Sequence, residues 1–448
     1  MPSQSPLATP SAKAHERVTG RWNRNIQVSG PSDRFFYYVK HAVGTPAMWL
    51  LPIFVFSVFT SRAALEISSW TFAIFTLIYI IADRFSKTKE YSPFPFGSDF
   101  ALLGFFVTGL IGTIALVPWP DTLVGLSSLR WIVLGYLFIF GLDLFPGLNR
   151  LYFFLVGGAA VLSVTGIFQH FSGVDYVHGG NLDFAPVKEH AYFEAIGFFT
   201  SPRVLPTLLA MTIPFPAAAY LFAEKRAPLV LRWSLLPLIC LFALALMWTY
   251  QPGMWVAAVA GVVTLAILQF RRQLPMFATV GAFLFVVIFV AYSSPQGFVE
   301  QLQAKEEKVA ATQRVELNRQ LTAFSEAPIF GNGLGSPTTE KFNRDYGSVY
   351  FQLLAETGVV GLAFYFIFVL GCLLAAYRLL QEIPKSYFWH RTLVAGTMGS
   401  QIAFHAAGLH WPTLREPHVL YLFIFELAVI SYVTEEYRRG LVSDDYAL

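Results

Sequence analysis

Twelve long apolar runs constrain the fold of this chain more than any other feature of its sequence. A helix needs about 20 predominantly apolar residues to cross the hydrocarbon core of a bilayer, and each run reaches or approaches that length. Charged residues make up only 13% of the 448 residues, whereas an average soluble domain carries roughly 25%. The sequence therefore predicts an all-α, polytopic membrane protein with about 12 transmembrane helices. The predicted spans are 46–61, 66–83, 98–117, 127–146, 150–170, 204–223, 230–249, 253–270, 275–293, 357–377, 391–409 and 419–435.

The distribution of lysine and arginine predicts how these helices are oriented. With residues 1–45 in the cytoplasm, 20 of the 31 Lys and Arg residues fall on the cytoplasmic side and 11 fall outside, as the positive-inside rule expects. The sequence thus predicts a basic cytoplasmic tail (1–45), a transmembrane domain (46–435) and a second cytoplasmic tail (436–448). The outer basic residues collect mainly in two loops, at 171–203 and, between the ninth and tenth helices, at 294–348.

Basic residues in the outer loops are unexpected from topology alone and suggest an anionic ligand. Arg314 and Arg319 lie with Glu316 in a stretch of helical composition, close to one another over about one and a half turns. Ordinary ion pairing with neighbouring acidic residues is the alternative. Arg203 follows Pro202 at the start of the next predicted span, where it is either an interfacial anchor or a ligand contact.

A glycine-rich segment follows in the second loop and reads Gly331-Asn332-Gly333-Leu334-Gly335. Glycines at alternate positions permit positive φ angles and expose backbone N–H groups, so Gly331, Gly333 and Gly335 are candidate anion-binding residues. The segment is not a nucleotide-binding P-loop, because no Gly-Lys-Ser/Thr sequence follows it and no strand precedes it.

Three segments together resemble the O-antigen ligase and O-antigen polymerase superfamily, whose members have about twelve helices and a large outer loop after the ninth. The first is Gly197-Phe198-Phe199-Thr200-Ser201-Pro202, which precedes an apolar helix. The others follow Arg314 and are Pro328-Ile329-Phe330-Gly331-Asn332-Gly333-Leu334-Gly335 and Tyr350-Phe351-Gln352-Leu353-Leu354-Ala355-Glu356-Thr357-Gly358-Val359-Val360-Gly361-Leu362. The resemblance covers about residues 195–380, and elsewhere it depends on topology.

This resemblance implies transfer or polymerisation of a polyprenyl-diphosphate-linked glycan at the outer face of the bacterial inner membrane. It implies a glycosyltransferase that uses no metal and no other cofactor, with a glycan or lipid acceptor. Arginine suits the diphosphate because its planar guanidinium can hold two phosphate oxygens. The expected diphosphate-binding residues are Arg203, Arg314, Arg319, Arg415, Gly331, Gly333 and Gly335.

The chain departs from the family pattern at two motifs. The family's His-Asn pair, which supplies the expected general base, falls on Gly347-Ser348, and its Ser-Arg pair before the eighth helix falls on Gln251-Pro252-Gly253. Another group must then accept the proton of the acceptor hydroxyl. The first candidates are His190 and Glu194, which a short helix would place on one face.

His410 and His418, near Arg415 on the final outer turn, are the second choice for this proton acceptor. A neighbouring arginine would keep such an imidazole neutral by lowering its pKa.

Two questions of function stay open on the sequence alone. A ligase and a polymerase differ in the acceptor, which the sequence does not identify. A non-catalytic member of the family, or a transporter of a glycolipid or anionic solute, is also compatible with twelve helices whose ends both lie inside. Charges at helix centres are scarce, which favours the transferase, because coupled transporters usually keep carboxylates there.

Overall fold

The structure is a computed structural model of the whole chain. It describes residues 31–85, 99–117, 122, 125–126, 129–145, 147–175, 177, 180–181, 193–222, 229–269, 321–322, 324–334 and 348–438. The helices are α1 Pro31–Ser57, α2 Arg62–Phe85, α3 Asp99–Leu116, α4 Arg130–Leu144, α5 Leu148–Ser172, α6 Val204–Thr212, α7 Pro214–Phe222, α8 Leu229–Met247, α9 Pro252–Leu268, α10 Val349–Glu382, α11 Phe388–Gly408 and α12 Pro417–Arg438. A 3₁₀ turn, Thr413–Arg415, and an antiparallel pair of two-residue strands, Val174–Asp175 and Gly180–Asn181, complete the described elements.

The helical architecture agrees with the prediction of a polytopic membrane protein. Each predicted apolar run coincides with described helix, except the run at 275–293, which lies outside the described residues. Within the described part of the chain, seven helical segments are long and apolar enough to cross a membrane, and α6 and α7 together form one of them. The number of twelve spans and the orientation of the termini stay predictions.

Helix α1 begins at Pro31, well before the apolar run that starts at residue 46. The amino group of Lys40 lies 2.6 Å from the carboxylate of Asp83 near the end of α2, and both side chains are about 5% exposed. The ring of Phe36 also stacks on that of Phe85 at 5.4 Å. These contacts hold the polar start of α1 against α2, which apolar periodicity could not predict. The short turn between the two helices is closed by Ser61, whose Oγ accepts from Ala64 N at 3.1 Å.

Buried helices form the centre of the bundle and partly exposed helices surround it. The segment Val204–Phe222 is completely buried and α12 is nearly so. By contrast, only about a third of the apolar stretch of α2, and of α10, is buried. Helices α9 and α11 approach closely at Gly261 and Gly399, where an added Cβ would come within 3.0 Å of the facing backbone oxygen. Small residues at such a crossing let two backbones touch, as is common where helices pack in a membrane.

Helix α11 is buried although it is too polar to be among the seven apolar segments. Its Ser400 and Gln401 donate to the two carboxylate oxygens of Glu426 on α12, at 2.6 and 2.8 Å, and all three residues are fully buried. A helix that faces only other helices needs no apolar outer face, so its composition is free to be polar. The carboxylate at Glu426 is an exception to the predicted scarcity of charge at helix centres.

Helix α10 is two helices that fold back on each other. Gly358 has φ 67° and ψ −172°, which interrupts the helical backbone. The rings of Tyr350 and Phe366 are stacked 5.4 Å apart, although residues 16 positions apart on a straight helix would be separated by about 24 Å. Residues 349–357 (α10a) therefore form a short helix that returns alongside residues 359–382 (α10b).

The glycine-rich segment caps both ends of this helical hairpin. Carbonyl groups of Pro328 and Ile329 accept from the first N–H groups of α10b, while Asn332 N and Gly333 N donate to the last carbonyls of α10a. The four distances run from 2.8 to 3.3 Å. The backbone groups that a helix break would leave without partners are thus satisfied. We call residues 327–334 the glycine clasp.

Contacts between helix ends separate into two layers. In one layer, Ser348 Oγ donates to Gly408 O at 2.9 Å and Trp411 Nε1 donates to Thr207 Oγ1 at 3.1 Å. In the other, Tyr437 Oη donates to Glu382 O at 2.9 Å. This separation agrees with the alternating order of the predicted spans. We call the first layer, which contains the helix ends predicted to lie outside, the clasp end.

Candidate functional site

The connection between α11 and α12, residues 409–416, contacts three other helices at the clasp end. Its Trp411 contacts the start of α6, its His410 lies against the start of α9, and its Arg415 reaches α10a. The sequence predicts a site mainly in the two long loops. Within the described residues, the short final turn contains His410 and Arg415 and contacts the start of α6, which follows Arg203.

Arg415 and Glu356 form the clearest ion pair of this region. Arg415 Nη2 donates to Glu356 Oε1 at 2.7 Å, and the two side chains are 32% and 6% exposed. Gln352, one turn earlier on α10a, donates to both carboxylate oxygens of Glu356 at 3.4 Å. The backbone carbonyl of Glu356 also accepts from Gly333 in the glycine clasp. Glu356 therefore positions Arg415 through its side chain and contacts the glycine clasp through its backbone.

Gly331 and Gly333 were expected to bind an anion through their backbone N–H groups, and the structure shows a different use of these groups. Both have positive φ, 72° and 87°, as the spacing of the glycines predicted. Their N–H groups, however, donate to Ala327 O and Glu356 O, at 2.9 and 3.0 Å, so they do not form an anion-binding nest. A Cβ on Gly331 would lie 2.3 Å from the backbone of Glu356. Glycine is required here because two backbones touch.

Glu194 lies beside one of the two motifs that depart from the family pattern. Gln251 Nε2 donates to Glu194 Oε1 at 3.3 Å. The expected helix through residues 190–194 is not formed at its Glu194 end, because residues 193–196 are irregular and Ala195 N donates to Trp248 O. Glu194 is instead positioned by the start of α9.

His410 lies beside the same motif. It is an exposed residue, and an added Cβ on Gly253 would come 2.9 Å from its ring. Partial burial lowers the pKa of His410 below its ordinary value of 6.5. The expected cause was Arg415, so the direction of the pKa shift agrees with the prediction and the cause does not.

Arg203 is the N-cap residue of α6, immediately before Val204, and is half-buried. Thr207 Oγ1 donates to Arg203 O at 2.7 Å and accepts from Trp411 Nε1 at 3.1 Å. These two hydrogen bonds attach the start of α6 to the final turn, which brings the backbone of Arg203 to the region that contains Arg415 and His410.

His418 is 3% exposed, and its Nδ1 lies 2.7 Å from Val58 O. A carbonyl can only accept, so Nδ1 carries the proton and this imidazole connects α12 to the turn after α1.

Glu416 was not identified from the sequence. It lies in the final turn and is half-buried. Burial raises the pKa of Glu416 above its ordinary value of 4.5, while Arg62 acts in the opposite direction. Glu356 was not identified either, although it lies in the motif at residues 350–362, two positions before Gly358. Four predicted site residues, His190, Arg314, Arg319 and Gly335, lie outside the described residues.

A comparison with protein families finds a match to the O-antigen ligase model over residues 236–366. Among curated proteins, no sequence matches the chain. The matched segment contains the glycine clasp, α10a and the turn at Gly358. The resemblance to the O-antigen ligase and O-antigen polymerase superfamily is therefore confirmed: residues 236–366 are similar to the O-antigen ligase family, within a multi-pass membrane protein.

Proposed function

We propose that this protein transfers or polymerises a polyprenyl-diphosphate-linked glycan at the outer face of the bacterial inner membrane. The observation that carries the proposal is the ion pair between Arg415 and Glu356, which attaches a cationic side chain to the segment that matches the O-antigen ligase family. The clasp end would then face the side on which the lipid-linked glycan is used.

The chemistry requires stabilisation of a diphosphate leaving group. Guanidinium groups suit this task because they remain charged and present several N–H donors in one plane. The Arg415 side chain is 32% exposed while Glu356 positions it, so its guanidinium is accessible to a phosphate. Arg203 is proposed as a second contact from the start of α6, and Arg314 and Arg319 as contacts from the large outer loop.

The acceptor hydroxyl must lose a proton during transfer. His190, Glu194 and His410 are the proposed proton acceptors or their supports. Glu194 and His410 both border the start of α9, where the family's arginine is replaced by Pro252. The lowered pKa of His410 favours the neutral imidazole that a general base requires.

The glycan and lipid-linked intermediates of a deletion strain test this function. A polymerase role predicts accumulation of a lipid-linked glycan with a single repeat, and a ligase role predicts accumulation of a completed lipid-linked glycan. Complementation with Arg314→Ala should fail at normal expression, and Arg314→Lys should restore little because an ammonium cannot hold two phosphate oxygens in the same way. A deletion strain with an unchanged profile of glycans and intermediates would contradict the proposal.

Transport is a second candidate because of one observation, the buried carboxylate of Glu426 between α11 and α12. Ionisable groups at membrane depth often belong to ion or substrate pathways. Transport predicts proton-dependent uptake in vesicles that Glu426→Gln abolishes. The transferase predicts no such uptake, and glycan assembly that survives Glu426→Gln, since an amide can keep hydrogen bonds to Ser400 and Gln401.

A further inference from the structure

A second group of charged residues lies at the clasp end, outside the segment that matches the family. Helix α2 begins at Arg62 and α4 begins at Arg130. Arg130 Nη2 donates to Glu66 Oε1 at 3.0 Å, and its guanidinium lies 5.8 Å from the centre of the Tyr421 ring on α12. The two arginines therefore border one region between α2, α4 and the start of α12. We call it the α2–α4 cluster.

Arg62 differs from the other arginines of the clasp end. It is exposed, and it forms no hydrogen bond or ion pair within the described part of the chain. Two acidic residues belong to the same region: Glu66, one turn along α2, is paired with Arg130, and the charge of Arg62 opposes the rise in the pKa of Glu416.

The final turn separates the α2–α4 cluster from the Arg415 site. Arg415 ends the 3₁₀ turn, and Glu416 after it has extended backbone, with φ −89° and ψ 114°. Arg415 donates to Glu356 on α10a, while the charge of Arg62 at the start of α2 acts on Glu416. Arginines from two different parts of the clasp end thus act on the neighbouring residues 415 and 416.

An exposed apolar face lies on the same helix as Arg62. Its residues are spaced three or four positions apart, as expected for one helix face, and they are Ile67, Trp70, Ile74, Leu77 and Ile81. On α4, Val133 is also exposed, one turn after Arg130. A cation at the start of a helix, followed by an apolar surface facing lipid, is complementary to a phosphate headgroup on a long hydrocarbon chain.

We infer that the α2–α4 cluster binds the phosphate of a second lipid-linked substrate, with Arg62 and Arg130 on the phosphate and the lipid chain along the exposed face of α2. This inference rests on the proposed function and adds an acceptor site to the donor site at Arg415. The transfer would then take place across the final turn, between two lipids held on opposite sides of it.

Native mass spectrometry of the purified full chain in a neutral detergent tests this inference, with a polyprenyl monophosphate as the probe. The wild type should bind two probe molecules. Arg62→Gln combined with Arg130→Gln should leave one, with the affinity of the second site lowered about 10- to 100-fold, and Arg415→Gln should leave the other. The matched control is Arg84→Gln, an exposed arginine at the opposite end of α2, which should keep both.

Two further probes distinguish the sources of the phosphate. Phosphatidylglycerol should fill the α2–α4 cluster much less readily than the polyprenyl phosphate, and inorganic phosphate should not displace the polyprenyl phosphate. Retention of two probe molecules by the double variant, or equal occupancy by phosphatidylglycerol or inorganic phosphate, would overturn the inference. Because binding is measured without turnover, these outcomes are independent of whether the deletion strain shows a glycan defect.

Discussion

Arg415 donates to Glu356 across 59 residues of sequence, with a distance of 2.7 Å between Nη2 and Oε1. We predict that Arg415→Ala reduces glycan transfer about 100- to 1,000-fold, as loss of one charge-stabilising donor does in other enzymes. The variant should also lose about 1–3 kcal/mol of stability, because the nearly buried Glu356 carboxylate loses a charged hydrogen bond.

The double variant Arg415→Ala/Glu356→Gln separates these two effects. An amide at position 356 carries no charge, so thermal stability in detergent should recover while activity in complementation should not. Recovery of activity with stability would show that Arg415 has only a structural role.

We predict that Gly331→Ala destabilises the protein by about 2 kcal/mol or more. A left-handed backbone conformation alone costs a residue with a Cβ roughly 1–2 kcal/mol, and the added methyl would lie 2.3 Å from Glu356. Gly157→Ala is the matched control, because nothing lies within 4 Å of a Cβ there, and it should be neutral or slightly stabilising. Thermal unfolding of both variants in the same detergent measures the difference. Equal unfolding temperatures would contradict the assignment of the glycine clasp as a tightly packed structural unit.

We predict that His410→Ala lowers glycan transfer about 10²- to 10⁴-fold if His410 is the general base. A lowered pKa keeps this imidazole neutral at neutral pH, and the neutral form is lost only in acid. The acid limb of the wild-type pH–rate profile should therefore lie below pH 6.5. Arg415→Gln should not move this limb, because burial and not Arg415 causes the shift. Wild-type rates in His410→Ala would exclude it, and the same substitution at His190 then becomes the next test.

We predict a dependence of stability on pH from Glu416. Its folded pKa is raised, so the folded state binds a proton more tightly than the unfolded state does. The associated stability is present below the ordinary pKa of 4.5 and is lost as the pH rises through the folded value. Glu416→Gln should therefore raise the unfolding temperature at pH 7 and change it little at pH 4. Arg62→Gln should have the opposite effect at pH 7, since Arg62 favours the ionised carboxyl.

We predict that the clasp end faces outward. After Cys240 and Cys372 are replaced by Ala, a membrane-impermeant thiol reagent should label Leu409→Cys in intact cells and should not label Lys385→Cys. Both positions are exposed, and they lie at opposite ends of α11. On the same reasoning, a cysteine at Ser336 should be labelled and one at Ser443 should not. The reverse pattern would place the proposed site on the cytoplasmic side.

Local sequence was sufficient to predict the helices that face lipid. The helices α2, α3 and α5 match their apolar runs closely, because length and hydropathy alone decide whether a helix is stable in a bilayer. The start of α1 could not be predicted in this way, since the ion pair between Lys40 and Asp83 joins residues 43 positions apart. Helix α11 was predicted from the apolar run at 391–409, but its burial depends on its neighbours.

For the candidate site too, some features follow from local sequence and others depend on how the helices pack. The sequence by itself determined that Gly331 and Gly333 have unusual backbone angles, because glycine at alternate positions reports local conformation. Only the tertiary structure decided where their N–H groups go, because the helical hairpin at Gly358 places the ends of α10a and α10b beside them. It likewise decided that Arg415 meets Glu356 and that Glu416 approaches Arg62. Charge and spacing are properties of the chain, whereas an ion pair between distant residues depends on how the helices pack.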